Sequence, residues 1–224
     1  MPRAGAGAAV LAAWRRRQPV WLAGVSGVGK SRLAAECAAA QGPWLHVACL
    51  PADRGQAYAA IARLLRALRA AAPDVVLPDW VRRELAQLLP ELGPPPAPSA
   101  TGEARARLLA GIDAALALLA DGIYAALVLD DWQWADDASA EIWASFDAAA
   151  WPLVLVSCFR SAQLPPAALA HLRREVDAGR AALVELQGFD ADETLALTHA
   201  LSSSPGAGCS RAGCSRPPAA IRSS

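Results

Sequence analysis

The sequence predicts an α/β fold in which helices cover both faces of a central parallel sheet, and three observations support this prediction. Apolar runs of strand length alternate with segments of helical periodicity through residues 1–201, as is typical of a covered parallel sheet. A glycine-rich turn follows the first run, and two acids end a later one. The chain has 224 residues, enough to bury a full core without disulfides or structural metals.

The individual elements follow from this alternation. Apolar runs predict five strands, at 19–24, 44–49, 125–130, 153–158 and 182–187. Helical spacing predicts helices at 5–17, 30–40, 55–71, 80–90, 102–120, 137–148, 165–179 and 191–201. A proline-rich stretch at 93–98 predicts an exposed linker between two helices.

The composition changes at Ser202 and divides the chain into two parts. Ala-Gly-Cys-Ser-Arg occurs twice in succession after this point and is followed by two prolines. Such a segment has too few apolar residues to fold alone. We therefore predict one domain at 1–201 and a disordered tail at 202–224 that is rich in Ser, Gly, Cys, Arg and Pro.

Charge and hydropathy argue against several classes of function. The formal net charge is zero and no basic stripe is present, so we expect no direct contact with nucleic acid. The apolar stretch from Leu108 to Leu129 contains Asp113 and Asp121, which argues against a membrane span. Five cysteines without a C-x-x-C pair, and three isolated histidines, predict reduced thiols, no metal cluster and a cytoplasmic location.

The glycine-rich turn predicts a nucleotide site. Residues 24–31 read Gly-Val-Ser-Gly-Val-Gly-Lys-Ser, the Walker A pattern (P-loop), in which backbone N–H groups surround phosphates and the lysine reaches the β- and γ-phosphates. Lys30 is the only lysine in the chain, and we expect its side chain to be exposed to solvent. The alternative is a chance glycine-rich turn. The predicted nucleotide-binding residues are Gly24, Val25, Ser26, Gly27, Val28, Gly29, Lys30, Ser31 and Arg32.

The acids that end a later strand predict a Walker B pattern. Asp130 and Asp131 follow the apolar run Ala-Ala-Leu-Val-Leu, and parallel strands deliver such groups to a ligand crevice at their carboxyl ends. We expect Asp130 to hold Mg²⁺ together with Ser31, and Asp131 to orient or deprotonate the attacking water. Alternatively, the two acids cap the next helix.

Several segments together resemble one family. Residues 129–136 read Leu-Asp-Asp-Trp-Gln-Trp-Ala-Asp, which resembles the L-D-D-L-Q/H-W-A-D signature of AAA-like ATPase domains in large bacterial regulators. These are signal-transduction ATPases with numerous domains (STAND), coupled to LuxR-type, SARP-type or nucleotide-cyclase modules and related to origin-recognition AAA ATPases. Residues 85–92, 105–109 and 151–161 also resemble family segments, so the resemblance covers about 3–201.

The resemblance implies a three-layer P-loop NTPase with a central five-stranded parallel sheet and roles for several further residues. The sensor strand would lie between the Walker A and Walker B strands. Arg160 would end that strand and sense the γ-phosphate as a catalytic group beside Lys30 and Asp131; its alternative role is a salt bridge over Asp130 or Asp131. Trp132 and Trp134 are interpreted as packing residues, and Asp136 as the cap of the helix that begins at residue 137.

The function predicted from the sequence is a regulatory switch that binds ATP and Mg²⁺ and hydrolyses ATP slowly at most. By this resemblance we expect the helical lid of the family to stop after one helix here, and the effector and output modules of such regulators to be missing from the chain. One alternative is a truncated remnant that folds and binds nucleotide without signalling. Another is a DNA-associated AAA+ ATPase of the initiator or loader kind, which should carry a basic face or a winged helix.

Overall fold

The computed structural model describes residues 4–97, 101–121, 123–145, 153–164 and 166–188. It confirms the predicted α/β fold with a five-stranded sheet, whose strand pairs are all parallel. The order is β2-β3-β4-β1-β5, so β4 lies between β1 and β3 as expected. The strands are β1 (Val20–Gly24), β2 (Trp44–Ala48), β3 (Ala126–Asp130), β4 (Val154–Phe159) and β5 (Ala182–Leu186).

Helices cover both faces of this sheet. On one face the core contains residues of α1 (Ala4–Arg15) and α2 (Lys30–Ala39). On the other face it contains residues of α3 (Ala59–Ala71), α4 (Asp79–Leu85), α5 (Thr101–Ala120), α6 (Asp137–Ser145) and α7 (Pro166–Asp177). Successive strand residues alternate between the two cores, as Val20 and Trp21 do, because side chains of a strand point to opposite faces. This is the predicted three-layer arrangement.

The helix predicted at 55–71 begins later, at Ala59, and a short 3-10 helix at Pro51–Gly55 precedes it. The buried carboxylate of Asp53 accounts for the difference: it accepts a hydrogen bond from the N–H of Leu50 (2.7 Å) and pairs with Arg63 (2.6 Å). These contacts hold residues 50–55 as a separate turn packed against α3. A local side-chain cap of this kind competes with continued α-helix.

The helix predicted at 80–90 also differs, since α4 ends at Leu85 and a 3-10 helix occupies Pro90–Leu92. Pro90 disfavours helical geometry at the residue before it and cannot donate a backbone hydrogen bond, so the chain leaves the α-helix before it reaches this residue. The predicted helix at 191–201, the tail at 202–224 and the end of the helix predicted at 137–148 lie outside the described residues.

Two further expectations concern cysteines and membranes. Cys37, Cys49 and Cys158 are buried and free, as expected for small apolar packing residues. None of the helices in the described ranges is both long and apolar enough to cross a membrane.

Candidate nucleotide-binding site

The carboxyl ends of β1, β3 and β4 bring the predicted site residues to one edge of the sheet. Gly24 ends β1, Asp130 ends β3, and Arg160 follows the last residue of β4. Parallel strands place these ends side by side, at the edge where α/β sheets bind ligands. The fold therefore gathers three sequence segments, the first of which lies more than a hundred residues before the other two.

Two glycines explain why the loop between β1 and α2 can form. A Cβ atom on Gly24 would lie 2.6 Å from the carbonyl oxygen of Leu186 in the adjacent strand β5, so only glycine fits there. Gly29 has φ 95° and is the N-cap residue of α2, a left-handed conformation that glycine adopts without strain. α2 then begins at Lys30, and its first turn presents N–H groups that have no partner within the helix.

The Lys30 side chain is buried, with 7% of the residue exposed, so the expectation of an exposed lysine is wrong. Its Nζ donates hydrogen bonds to the carbonyl oxygens of Gly24 (3.0 Å) and Val25 (2.9 Å). Burial lowers the pKa of Lys30 from 10.5, while the nearby carboxylates of Asp130 and Asp131 act in the opposite direction. The ammonium group is thus hydrogen-bonded to the phosphate loop itself, and it lies close enough to both acids for electrostatic attraction.

Asp130 lies in a pocket of hydrogen-bond donors. His46 Nε2 is 3.4 Å from its Oδ2, and the N–H of Asp131 donates to its Oδ1 at 2.9 Å. Burial raises the pKa of Asp130, but the hydrogen bonds from His46, Ser31 and the Asp131 backbone outweigh it and hold the pKa below its ordinary value of 3.8. The predicted pair Ser31 and Asp130 therefore lies close enough for the hydroxyl to lower the pKa of Asp130, and Asp130 is held as a carboxylate.

These two oxygen ligands fit Mg²⁺, which keeps several waters and commonly takes only one or two protein ligands together with substrate phosphates. Within the described residues no cluster of three or more His, Cys, Asp or Glu side chains is present that could hold a metal by itself. The ligand set available at this edge is thus the kind that a magnesium nucleotide uses, and unlike that of a structural zinc or calcium site.

Asp131 is held by residues from both sides of the site. It adopts φ 52° and ψ 38°, a left-handed conformation that Asp tolerates better than most residues. Its Oδ1 accepts a hydrogen bond from Gln133 Nε2 at 2.7 Å and lies 3.7 Å from Nη2 of Arg160. The ion pair between Arg160 and Asp131 is the alternative role considered for this arginine, and it also places the guanidinium beside the site.

Sequence reasoning missed Gln133, whose side chain is fully buried. Its amide links two strands: it donates to Asp131, and its Oε1 accepts the backbone N–H of Arg160 at 3.1 Å. Its main-chain carbonyl accepts two hydrogen bonds from Arg54, at 2.8 and 3.1 Å. The sequence feature that could have identified Gln133 is its position: a polar residue between two tryptophans, two positions after Asp131.

His46 was also missed, because it had been interpreted as isolated. It lies on β2, in register with Val128 of the adjacent strand β3, and this pairing brings it to Asp130. A polar residue within the apolar run of β2 could have suggested a contact. Its partner could not be named, because the order of the strands determines which acid lies next to it.

The remaining predicted residues divide into three groups. Val25, Ser26 and Gly27 are exposed on the loop, whereas Val28 is buried in the core beside α2 and anchors the loop. The Arg32 side chain is 80% exposed and pairs with Glu36 at 2.8 Å, so the structure directs it along the helix surface rather than towards Lys30. Its contribution to a bound phosphate would be limited to its backbone N–H.

Residues next to the acids support the turn as expected. Trp132 is buried and packs edge-on against Trp21, with ring centroids 6.5 Å apart, which fits the packing role. Trp134 lies under the guanidinium of Arg54, 4.7 Å from its carbon Cζ. Asp136 caps α6 through the N–H of Ser139 (2.8 Å), as interpreted from the sequence.

The sequence matches the family described as AAA ATPase domain over residues 8–156. This range includes the loop at 24–31, both acids and Gln133, and it ends within β4. Among curated proteins, none matches the chain.

Proposed function

The chain belongs to the AAA ATPase domain family, and we propose that its site binds ATP with Mg²⁺ and acts as a nucleotide switch with slow hydrolysis. Nucleotide binding is the property that the family indicates. The choice of ATP, the metal and the switching role are the parts that we add.

The observation that carries the proposal is the convergence of Lys30, Ser31 and Asp130 at the ends of β1 and β3. A buried ammonium group, a hydroxyl and a carboxylate lie beside the N-terminal turn of a helix. Backbone N–H groups and the helix dipole at that turn favour a phosphate. The Lys30 ammonium group is already hydrogen-bonded to carbonyl oxygens of the loop, so it needs only a local change of rotamer to contact a phosphate.

Ser31 and Asp130 would hold the metal, which would neutralise charge on the bound phosphates. His46 keeps Asp130 oriented through the contact between Nε2 and Oδ2. The lowered pKa of Asp130 keeps this group ionised at neutral pH, as a magnesium ligand must be.

Asp131 would orient the attacking water, and its contacts explain why we expect slow turnover. Gln133 and Arg160 both engage Oδ1 of Asp131, so a water molecule would have to share this oxygen or use the other one. An aspartate is also one methylene shorter than the glutamate that performs this task in many P-loop enzymes. Slow hydrolysis suits a switch, because the ATP-bound state then lasts long enough to change the interactions of the domain with other parts of a protein.

The regulatory context is proposed from the resemblance of residues 129–136 to the AAA-like domains of large bacterial regulators. In this proposal the domain is of the STAND type and passes the state of its nucleotide to effector and output modules in a cytoplasmic transcriptional regulator. The free, buried thiols of Cys37, Cys49 and Cys158 are consistent with a reducing compartment.

The experiment that tests this proposal is a calorimetric titration of the purified chain with ATP, with and without Mg²⁺. Removal of the Lys30 amine should weaken ATP binding about tenfold to a hundredfold, since a charge-assisted contact contributes about 1.5–3 kcal/mol. Arg32→Ala is the matched control, because this neighbouring cation pairs with Glu36 and should leave ATP affinity nearly unchanged. Equal affinity of wild type and Lys30→Ala would overturn the proposal.

The two acids can be separated in the same assay. Asp130→Ala should abolish the dependence of ATP binding on Mg²⁺, whereas Asp131→Asn should preserve binding and lower the rate of phosphate release. The opposite pattern would show that the roles of the two acids are exchanged. Circular dichroism of every variant verifies that the fold is retained.

A further inference from the structure

A cavity of about 460 Å³ lies on the sheet face opposite α2 and away from the phosphate loop. It opens between α6 and α7, with β1 beneath it. Its size is within the range of small-molecule sites. Its apolar lining consists mainly of the aromatic residues Trp21, Trp132 and Trp143 and the smaller side chains Ala135, Ala140, Leu164 and Ala168.

Two of these tryptophans carry an indole N–H that has no hydrogen-bond partner among the described residues. Trp21 and Trp132 are 6% and 3% exposed, and among the described residues none accepts a hydrogen bond from either indole N–H. Trp14 shows the usual arrangement, since its Nε1 donates to the carbonyl of Leu155 at 2.9 Å. Buried donors are normally satisfied, so two such donors on residues that line one cavity leave room for an acceptor on a bound ligand.

The rim of the cavity adds further donors from α7. His171 and Arg174 line it, and within the described part of the chain no carboxylate lies within 4.0 Å of the Arg174 guanidinium. Two acids on α6 also line the rim. One of them, Glu141, is neutralised by an ion pair with Arg105 at 2.6 Å. The other, Asp137, lies in the first turn of its helix, where the helix dipole favours a negative charge.

From this combination we infer that the cavity is a binding site for a small planar aromatic carboxylate. The aromatic ring would pack against the tryptophan floor, where offset and edge-on contacts between rings are favourable. The carboxylate would accept hydrogen bonds from the unpartnered indole N–H groups or from Arg174, and charge-assisted bonds of this kind are the stronger ones. This site goes beyond the proposed nucleotide switch and does not depend on it.

The cavity and the nucleotide site are neighbours but separate. Trp132, which forms part of the floor, lies between Asp131 and Gln133 in the chain, and Gln133 donates to the Asp131 carboxylate. The described residues that line the cavity include neither Asp130 nor Asp131 and none of residues 24–31, so the ligand and ATP should bind without displacing each other.

The test is a calorimetric titration of the full chain with 2-naphthoate, in parallel with its uncharged methyl ester. Wild type should bind 2-naphthoate, and saturating ATP should not displace it. Ala168→Leu, which fills the cavity, should weaken binding of 2-naphthoate at least about tenfold while ATP affinity is unchanged. Ala170→Leu is the matched control on the same helix, because Ala170 is exposed and does not line the cavity, and it should bind 2-naphthoate like wild type.

Arg174→Gln is the second variant, at an exposed position where the fold should tolerate the change. It should weaken binding of 2-naphthoate and leave binding of the methyl ester unchanged. Absence of 2-naphthoate binding by wild type would overturn the inference, as would displacement by ATP or unaltered binding by Ala168→Leu in a protein with a normal melting curve. Equal affinity of wild type for the acid and the ester would overturn the assignment of a carboxylate.

Discussion

The phosphate loop (residues 24–31) and the acidic turn (residues 130–136) form opposite sides of the candidate site, but they obtain their geometry in different ways. The loop is held largely by its own backbone: Lys30 donates to Gly24 and Val25, a few residues before it. The acidic turn depends on distant partners, among them His46 and Arg160. A local pattern can therefore specify most of the first region, whereas the second requires the assembled fold.

The largest effect should come from Gly24, where the loop does depend on a distant strand. Gly24→Ala would place a Cβ atom 2.6 Å from the carbonyl oxygen of Leu186 in β5, in a backbone conformation (φ 157°) that also disfavours a side chain. Because the carbonyl oxygen is a backbone atom and the Cβ position is fixed by the backbone of residue 24, neither can turn away. β1 and β5 must therefore separate, and we expect a loss of about 3 kcal/mol or more in the free energy of unfolding. Chemical denaturation measures this loss, and ATP affinity should fall with it.

Gly5→Ala is the control for the same chemical change. Gly5 lies in α1, and no atom lies within 4 Å of its potential Cβ, so alanine should be neutral or stabilise the helix by up to about 1 kcal/mol. If Gly24→Ala were as stable as Gly5→Ala, the close approach of β1 and β5 at this residue would be wrong.

The next largest effect should come from Asp136, which connects the acidic turn to α3. Its carboxylate is 3% exposed and accepts hydrogen bonds from the N–H groups of Tyr58 (2.7 Å), Ala60 (3.2 Å) and Ser139 (2.8 Å). Asp136→Ala would leave these buried donors without an acceptor, so we expect a loss of about 3 kcal/mol in the free energy of unfolding. The adjacent Asp137→Ala should cost about 0.3–1 kcal/mol, because Asp137 is exposed and acts only on the dipole of α6.

Should the two variants be equally stable, Asp136 would be an ordinary helix cap and the acidic turn would be a local structure after all. Urea denaturation of both proteins at the same pH makes the comparison.

The same contrast explains what the sequence could predict. All five strands were predicted within one or two residues, because each is a compact apolar run. The course of the phosphate loop follows largely from its glycines. In contrast, the turn that Asp53 caps through Leu50 and Arg63 requires contacts that no periodicity encodes.

For the site, spacing within the motifs was sufficient to name Lys30, Ser31 and the two acids, but not the residues that orient them. Gln133 and His46 act through pairings between strands, and these become visible only when the sheet order is known. The burial of Lys30 could not be foreseen either, since it depends on carbonyl groups of the loop that turn towards the ammonium group.

An intermediate effect should follow from Gln133→Ala, which tests the link between the acidic turn and β4. It would remove the 2.7 Å contact with Asp131 and the acceptor for the N–H of Arg160. We expect a loss of about 1–3 kcal/mol in the free energy of unfolding. If the chain hydrolyses ATP, the rate should fall about tenfold with little change in ATP affinity.

Gln133→Glu sharpens this test, because it keeps the shape and places a second carboxylate beside Asp131. The like charges should raise the pKa of one carboxyl group, so destabilisation relative to wild type should be greater at neutral pH than at mildly acidic pH. A variant with the stability of wild type at both values would show that the contact between residues 131 and 133 is not formed.

The smallest effect concerns Asp130, where burial and hydrogen bonding oppose each other. Burial raises the pKa of this carboxyl group, and the hydrogen bonds from His46, Ser31 and the Asp131 backbone lower it to a net value below 3.8. A folded-state pKa below the unfolded value means that ionised Asp130 stabilises the fold, fully above the unfolded pKa and less as the pH falls through the folded one. The difference in unfolding free energy between wild type and Asp130→Asn should therefore be constant from about pH 7 to about pH 5 and shift in favour of the variant below about pH 4. Denaturation of both proteins across this range cancels the titration of the other carboxylates. A difference that shifted in favour of wild type on acidification would mean that burial prevails and that His46 and Ser31 do not reach this acid.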